Sequence, residues 1–146
     1  MRRVETGEHH VREISLDFFQ GESFKEKLYL GRALEVVREG IWRLGVEKDE
    51  PIHVCTGYVL SGVREALERE GYEILPSKIV GATQELAEAE FVRSLVRLGV
   101  GDGDVVAGMR SFNSFLDWVL EDLNSRERFV KTGWSSWPRL RGGEHQ

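Results

Sequence analysis

The chain holds a single cysteine, Cys55, and three prolines in 146 residues. One thiol cannot close an intrachain disulfide, and it excludes zinc or iron–sulfur centres built on several cysteines. No apolar run approaches the ~20 residues that span a bilayer. The opening, M-R-R-V-E-T-G-E-H-H, lacks the apolar core of a signal peptide. A cytoplasmic location is therefore expected. Positive charge is in deficit, with 20 Lys and Arg against 25 Asp and Glu and a net charge of -5. A globally basic nucleic-acid binder is thus not expected. Asn and Gln are scarce beside Glu and Arg, a balance that fits a thermophilic source.

What is present is an ordinary globular composition, 40% hydrophobic and 31% charged, enough for one domain with a sizeable core. The charge is uneven. From Arg126 to the end, five cations face two acids, so the body is the more acidic part. Residues 1–10 are polar and expected to fray.

The stretch from Ile52 to Gly81 organises the rest. Ile52 to Cys55 reads as a short strand. Thr56-Gly57 turns into a helix with Leu60, Val63 and Leu67 inward, stopped by Gly71. Tyr72 to Val80 reads as a second strand that Pro76 interrupts. Before this stretch, Val11 to Phe19 alternates in the manner of a half-buried strand. Ser23 to Glu26 matches a capping box. The helix after it carries Phe24, Leu28, Leu34, Val37, Ile41 and Leu44 to a stop at Gly45, with a close neighbour as one reason for Gly31. Past Gly81, Thr83 opens a helix with Ala87, Phe91, Leu95 and Leu98, stopped by Gly99.

The segment Trp42-Arg43-Leu44-Gly45-Val46 is then echoed by Val96-Arg97-Leu98-Gly99-Val100. The echo predicts a fourth strand over Asp104 to Ala107 and a last helix with Phe112, Phe115, Leu116, Val119 and Leu123 on one face. The order is β-α-β-α-β-α-β-α. It predicts a single three-layer α/β domain over residues 11–124, with about four mostly parallel strands. A polar extension, 1–10, and an aromatic, basic tail, 125–146, flank it.

Ligands of open parallel sheets bind outside the carboxyl ends of the strands. The expected site for an anionic small molecule or nucleotide is therefore Thr56, Gly57, Thr83, Arg110 and Ser111, where Gly, Ser and Thr precede helix N-termini. Phosphate-loop and dinucleotide fingerprints are absent. Cys55 lacks the Arg six residues on that a cysteine phosphatase requires, because Ser61 stands there. Cys55 is expected to pack as a small buried hydrophobe, and His53 to be a hydrogen-bonded structural residue.

Asp17, Glu85 and Glu88 are an alternative set. An acid on a first strand with acids on a later helix resembles the ribonuclease H-like arrangement. That resemblance implies a phosphodiester hydrolase using Mg²⁺ or Mn²⁺ on those carboxylates. The antiparallel hairpins usual after that first strand are absent. A third reading is a non-catalytic module, a homodimer formed through the tail or an apolar helix face. Trp134 and Trp137 would then dock in cis or on a partner. No motif in the chain assigns a reaction.

Overall fold

The structure, a computed structural model, describes residues 1–142. It is 57% helix and 7% strand, which overturns the expected three-layer α/β domain with about four strands. Among the described residues the sheet is one parallel pair, β1 (Ile52–Cys55) and β2 (Ile74–Ser77). The helices are α1 (Gly21–Lys25), α2 (Leu28–Arg43), α3 (Ser61–Arg69), α4 (Ala82–Arg97), α5 (Gly103–Gly108), α6 (Phe112–Glu121), α7 (Leu123–Arg126) and α8 (Trp137–Arg141). Short 3-10 turns lie at Leu16–Phe19, Tyr58–Leu60 and Glu127–Phe129. No helix of the described residues is long and apolar enough to cross a membrane. The chain forms two compact units. Met1–Ile14 with Leu30–Phe91 makes the first, and Ser15–Tyr29 with the chain from Val92 onward makes the second.

In the first unit, the central stretch folds as its pattern predicts: strand, turn, helix, glycine stop, strand. The register pairs Ile52 with Ile74 and Cys55 with Ser77. Along β1, Ile52 and Val54 are buried while His53 and Cys55 are exposed, the period of a half-buried strand, so Cys55 is not the buried hydrophobe expected of it. The buried face meets Ala33 and Ile41 of α2 and Val63 and Leu67 of α3. Val63 and Leu67 lie one turn apart on one helix face and are wholly buried.

Pro76 sits inside β2 without breaking it. Ile52 N–H donates to the Glu73 carbonyl at 2.8 Å. In a parallel ladder this parity turns Ile52 and Val54 toward Glu73, Leu75 and Ser77. Ile74 and Pro76 then turn their backbone groups to the free edge, where a missing N–H costs no ladder bond.

The expected stops at Gly45, Gly71 and Gly99 all hold, with φ of +57°, +89° and +78°. Each closes its helix with a six-to-one bond at 3.0 Å: Val46 N to Ile41 O, Tyr72 N to Leu67 O, and Val100 N to Leu95 O. The expected reason for Gly31 does not hold, since a side chain there would meet open space. The packing glycine is Gly40, where a Cβ would lie 3.3 Å from His10 Cδ2 and 3.4 Å from Met1 Sδ.

Two expected strands are absent for local reasons. Val11 to Phe19 forms none. The Ser15 hydroxyl accepts from Asp17 N–H at 3.4 Å and starts the 3-10 turn Leu16–Phe19, a side-chain bond that competes with a ladder. The expected strand at Asp104 to Ala107 lies within α5. There Asp102 Oδ1 accepts from Val105 N–H at 2.9 Å and caps a helix. The long helix expected after the capping box also divides, because Lys27 takes φ +59° between α1 and α2.

Residues 1–10 do not fray. Arg2 and His9 form an antiparallel bridge, and His10 N–H donates to the Met1 carbonyl at 2.9 Å.

In the second unit, Leu116 and Val119 of α6 pack on Trp137 of α8. Trp137 Nε1 donates to Glu127 Oε1 at 2.8 Å, so this part of the tail docks in cis. Arg126 lies 4.3 Å over the Trp118 ring. Gln20 Nε2 donates to the carbonyls of Arg128 and Val130. Thr132 Oγ1 donates to Gln20 Oε1 at 3.2 Å and accepts from Gly21 N–H at 2.9 Å.

Candidate functional site

β1 and β2 run parallel and end in register, so the segments after them leave the sheet at one edge. Thr56, Gly57 and the turn Tyr58–Leu60 follow β1. Lys78, Ile79, Val80 and Gly81 follow β2. Thr56, Gly57, Lys78 and Val80 are exposed, and Thr83, in the first turn of α4, is half-buried. The turn after β2 needs Gly81, whose φ is +65°. No side chain caps the start of α3, because its N-cap residue is Leu60, which has no acceptor, and Ser61 Oγ donates to the Tyr58 carbonyl at 2.7 Å. Helix N–H groups therefore begin at this edge without a side-chain acceptor.

Arg64 supplies the charge. Its Nη1 reaches back from α3 to donate to the Cys55 carbonyl at 2.6 Å and the Gly57 carbonyl at 3.3 Å. Both acceptors are neutral, so the guanidinium is positioned without being neutralised. Five other cations of the unit are paired with carboxylates, while Lys48 and Arg69, like Arg64, donate to backbone carbonyls. Arg3 pairs with Glu50, Arg12 and Arg43 with Glu39, Arg38 with Glu70 and Arg32 with Glu35. Three of these carboxylates, Glu39, Glu50 and Glu70, are held below the usual range by their arginines. The Arg12 hydrogen bond brings Glu39 down to about 2, and the Arg3 hydrogen bond does the same for Glu50. Arg38 lowers Glu70. Among the described residues, Arg64 and Lys78 have no carboxylate partner.

The strand ends also carry a defined histidine. His53 Nδ1 lies 2.8 Å from Ser77 Oγ, and Ser77 Oγ donates to the Leu75 carbonyl at 2.9 Å. A hydroxyl has one proton, so His53 Nδ1–H is the donor to Ser77 and Nε2 is left as an acceptor on the exposed face. A Cβ built on Gly57 would lie 3.8 Å from Cys55 Sγ, which places the thiol at the same turn.

The expected anion set is divided between the units. Thr56, Gly57 and Thr83 belong to the first. Arg110 and Ser111 belong to the second, where both have local roles. Ser111 Oγ accepts from Ser114 N–H at 3.1 Å and caps α6, and Arg110 Nε donates to the Ala107 carbonyl at 3.0 Å. Asp17 also lies in the second unit, accepting from Ser15 Oγ at 3.3 Å. Glu85 and Glu88 lie on α4, with Glu88 accepting from Gln84 Nε2 at 3.0 Å. Among the described residues, no group of three or more His, Cys, Asp or Glu side chains is placed to hold a metal ion.

Arg64 and Lys78 were not expected from the sequence. A signal for Arg64 exists, since the first turn of α3 carries no acid and a cation comes directly after it, against the preference of a helix N-terminus. No protein-family model, curated protein or solved structure matches this chain.

Proposed function

We propose that the first unit binds an anionic small molecule at the carboxyl end of its strand pair. The observation that carries this reading is Arg64, a guanidinium held at the strand end by two carbonyls and left without a carboxylate. Thr56, the Gly57 N–H and Thr83 add donors, Lys78 adds a second charge, and the N-terminus of α3 adds its partial positive charge. A thermal-shift screen against phosphates, phosphosugars, nucleotides and carboxylates tests it, because a ligand of the folded state raises the melting temperature. The shift is expected to be lost in Arg64→Ala and kept in Arg110→Ala. No shift with any anion, or an undiminished shift in Arg64→Ala, sinks it.

A second reading has one observation in its favour. Trp42, on α2, is 78% exposed beside an open depression of about 370 Å³ lined by Ile41, Val46, Tyr72, Arg38 and Glu70. A large ring next to a hollow, with both charge signs on the rim, suits a two-fold contact with a second copy. Sedimentation analysis of the full chain and of Trp42→Ala tests this. A monomer at every concentration rules it out.

A further inference from the structure

We propose that the anion taken at the strand ends is a nucleotide, with its phosphate on Arg64 and Lys78 and its base against Tyr58 and Val80. The proposal rests on the anion site above and names its ligand class. A bare phosphate or a phosphosugar needs cations and hydroxyls but no apolar surface. This edge has apolar surface in excess. Tyr58 is 55% exposed, Val80 62%, Val59 38% and Leu75 36%. All four fall on β2 or in the segments after the two strands. Tyr58 and Val59 come directly after Gly57, whose carbonyl accepts from Arg64, and Val80 follows Lys78 by two residues, so the four are not spread along the chain as isolated exposed apolar residues are.

The register explains why they gather. Cys55 is opposite Ser77, and paired strands lie about 4.8 Å apart. Thr56 and Lys78 thus leave the sheet side by side, with Tyr58 and Val80 each two residues further on. An aromatic ring and a branched side chain beside two cations match a ligand that has both a flat apolar part and an anionic part. His53 adds an acceptor. Its Nδ1 proton is committed to Ser77, so Nε2 can take a hydrogen bond from a ribose hydroxyl or a base N–H.

The test is calorimetric titration of the full chain with AMP, CMP, GMP and UMP, each compared with ribose phosphate and inorganic phosphate. At least one nucleotide is expected to bind about tenfold or more tightly than ribose phosphate. Tyr58→Ala should bring that nucleotide down to the affinity of ribose phosphate without weakening ribose phosphate itself. Tyr58→Phe, which keeps the ring, should restore the preference, and Val80→Ser should reduce it. Arg64→Ala should weaken every phosphate compound together. Circular dichroism confirms that the variants, all at exposed or half-buried positions, stay folded. If ribose phosphate binds as tightly as every nucleotide, or if Tyr58→Ala leaves the preference intact, the nucleotide assignment is overturned while the anion site stands. If no phosphate compound binds, both are overturned.

Discussion

Arg3 and Glu50 meet through two parallel contacts, Nη1 to Oε2 at 2.5 Å and Nη2 to Oε1 at 3.0 Å. The same guanidinium covers the end of α2. Its Nε donates to the Leu44 carbonyl at 3.0 Å and its Nη2 to the Gly45 carbonyl at 2.9 Å. One side chain thus satisfies carbonyls that the helix leaves open and ties the N-terminal segment to the turn before β1.

A double-mutant cycle tests that tie. Arg3→Ala and Glu50→Gln are each expected to destabilise the protein, and together by less than their sum, because both remove one two-pronged contact. The effect depends on pH. Glu50 is held at about 2 by the Arg3 hydrogen bond, against an ordinary 4.5. Its contribution is complete above 4.5 and is lost as pH falls toward 2. Thermal melts should show the difference between wild type and Glu50→Gln shrinking across that window. A difference that is constant with pH argues against the ion pair as the cause.

His10 gives a separate acid response at higher pH. Its Nε2 is buried without a hydrogen bond and lies 3.7 Å from Glu39 Oε1. Burial lowers its pKa below 6.5. Glu39 opposes this, while Arg43, Arg12 and the Met1 amine add to it. The fold therefore favours the neutral ring. Its contribution is full above about 6.5 and declines as pH falls below that value. Between pH 7 and 5 the wild type should lose more stability than His10→Asn, which cannot titrate. Equal losses would falsify the assignment.

The local grammar of the chain was legible where a single residue type decides the backbone. Gly45, Gly71 and Gly99 take positive φ, which few residues other than glycine tolerate, so each marks a helix end in the sequence itself. The echo of Trp42-Arg43-Leu44-Gly45-Val46 in Val96-Arg97-Leu98-Gly99-Val100 is the same capping motif formed twice. It signals that a helix has ended and does not encode the type of the next element. After Val46 the chain enters β1. After Val100, Asp102 caps α5, and the short run Val105-Val106-Ala107 buries only Val106 deeply. Such a run suits a strand or a helix equally by pattern, and the Asp102 cap decides. The site was half legible for a related reason. Thr56 and Gly57 announce a turn, but Arg64 matters only because it returns across nine residues to the Cys55 carbonyl, and no spacing rule encodes that return.

The two cores should respond to substitution by different mechanisms. Leu67 is wholly buried in the first unit, and Leu67→Ala should cost about 2–5 kcal/mol through lost contacts and a cavity. Gly133 is the opposite case. A Cβ there would fall on the Gly21 carbonyl, with Phe24 Cβ at 3.0 Å, and the Gly21 backbone is itself held by Thr132. Gly133→Ala should cost about 1–3 kcal/mol through overpacking. Denaturant titrations measure both, and a neutral Gly133→Ala would show that the 20–21 segment can yield.

Pro76 should protect the sheet from self-association. A two-stranded sheet has two open edges, and open edges template pairing with other chains. On β2 the backbone groups of Ile74 and Pro76 face outward, so proline removes one of the N–H donors that a further strand would need. Pro76→Thr restores that donor and adds a residue that favours strands. It breaks no ladder bond, so the monomer should lose little stability. The variant is expected to form concentration-dependent oligomers at protein concentrations where the wild type does not, and sedimentation velocity on the two proteins decides it. If Pro76→Thr sediments as the wild type does at every concentration, the outer edge of β2 is not open for pairing, and the proline is there for the conformation of the strand alone.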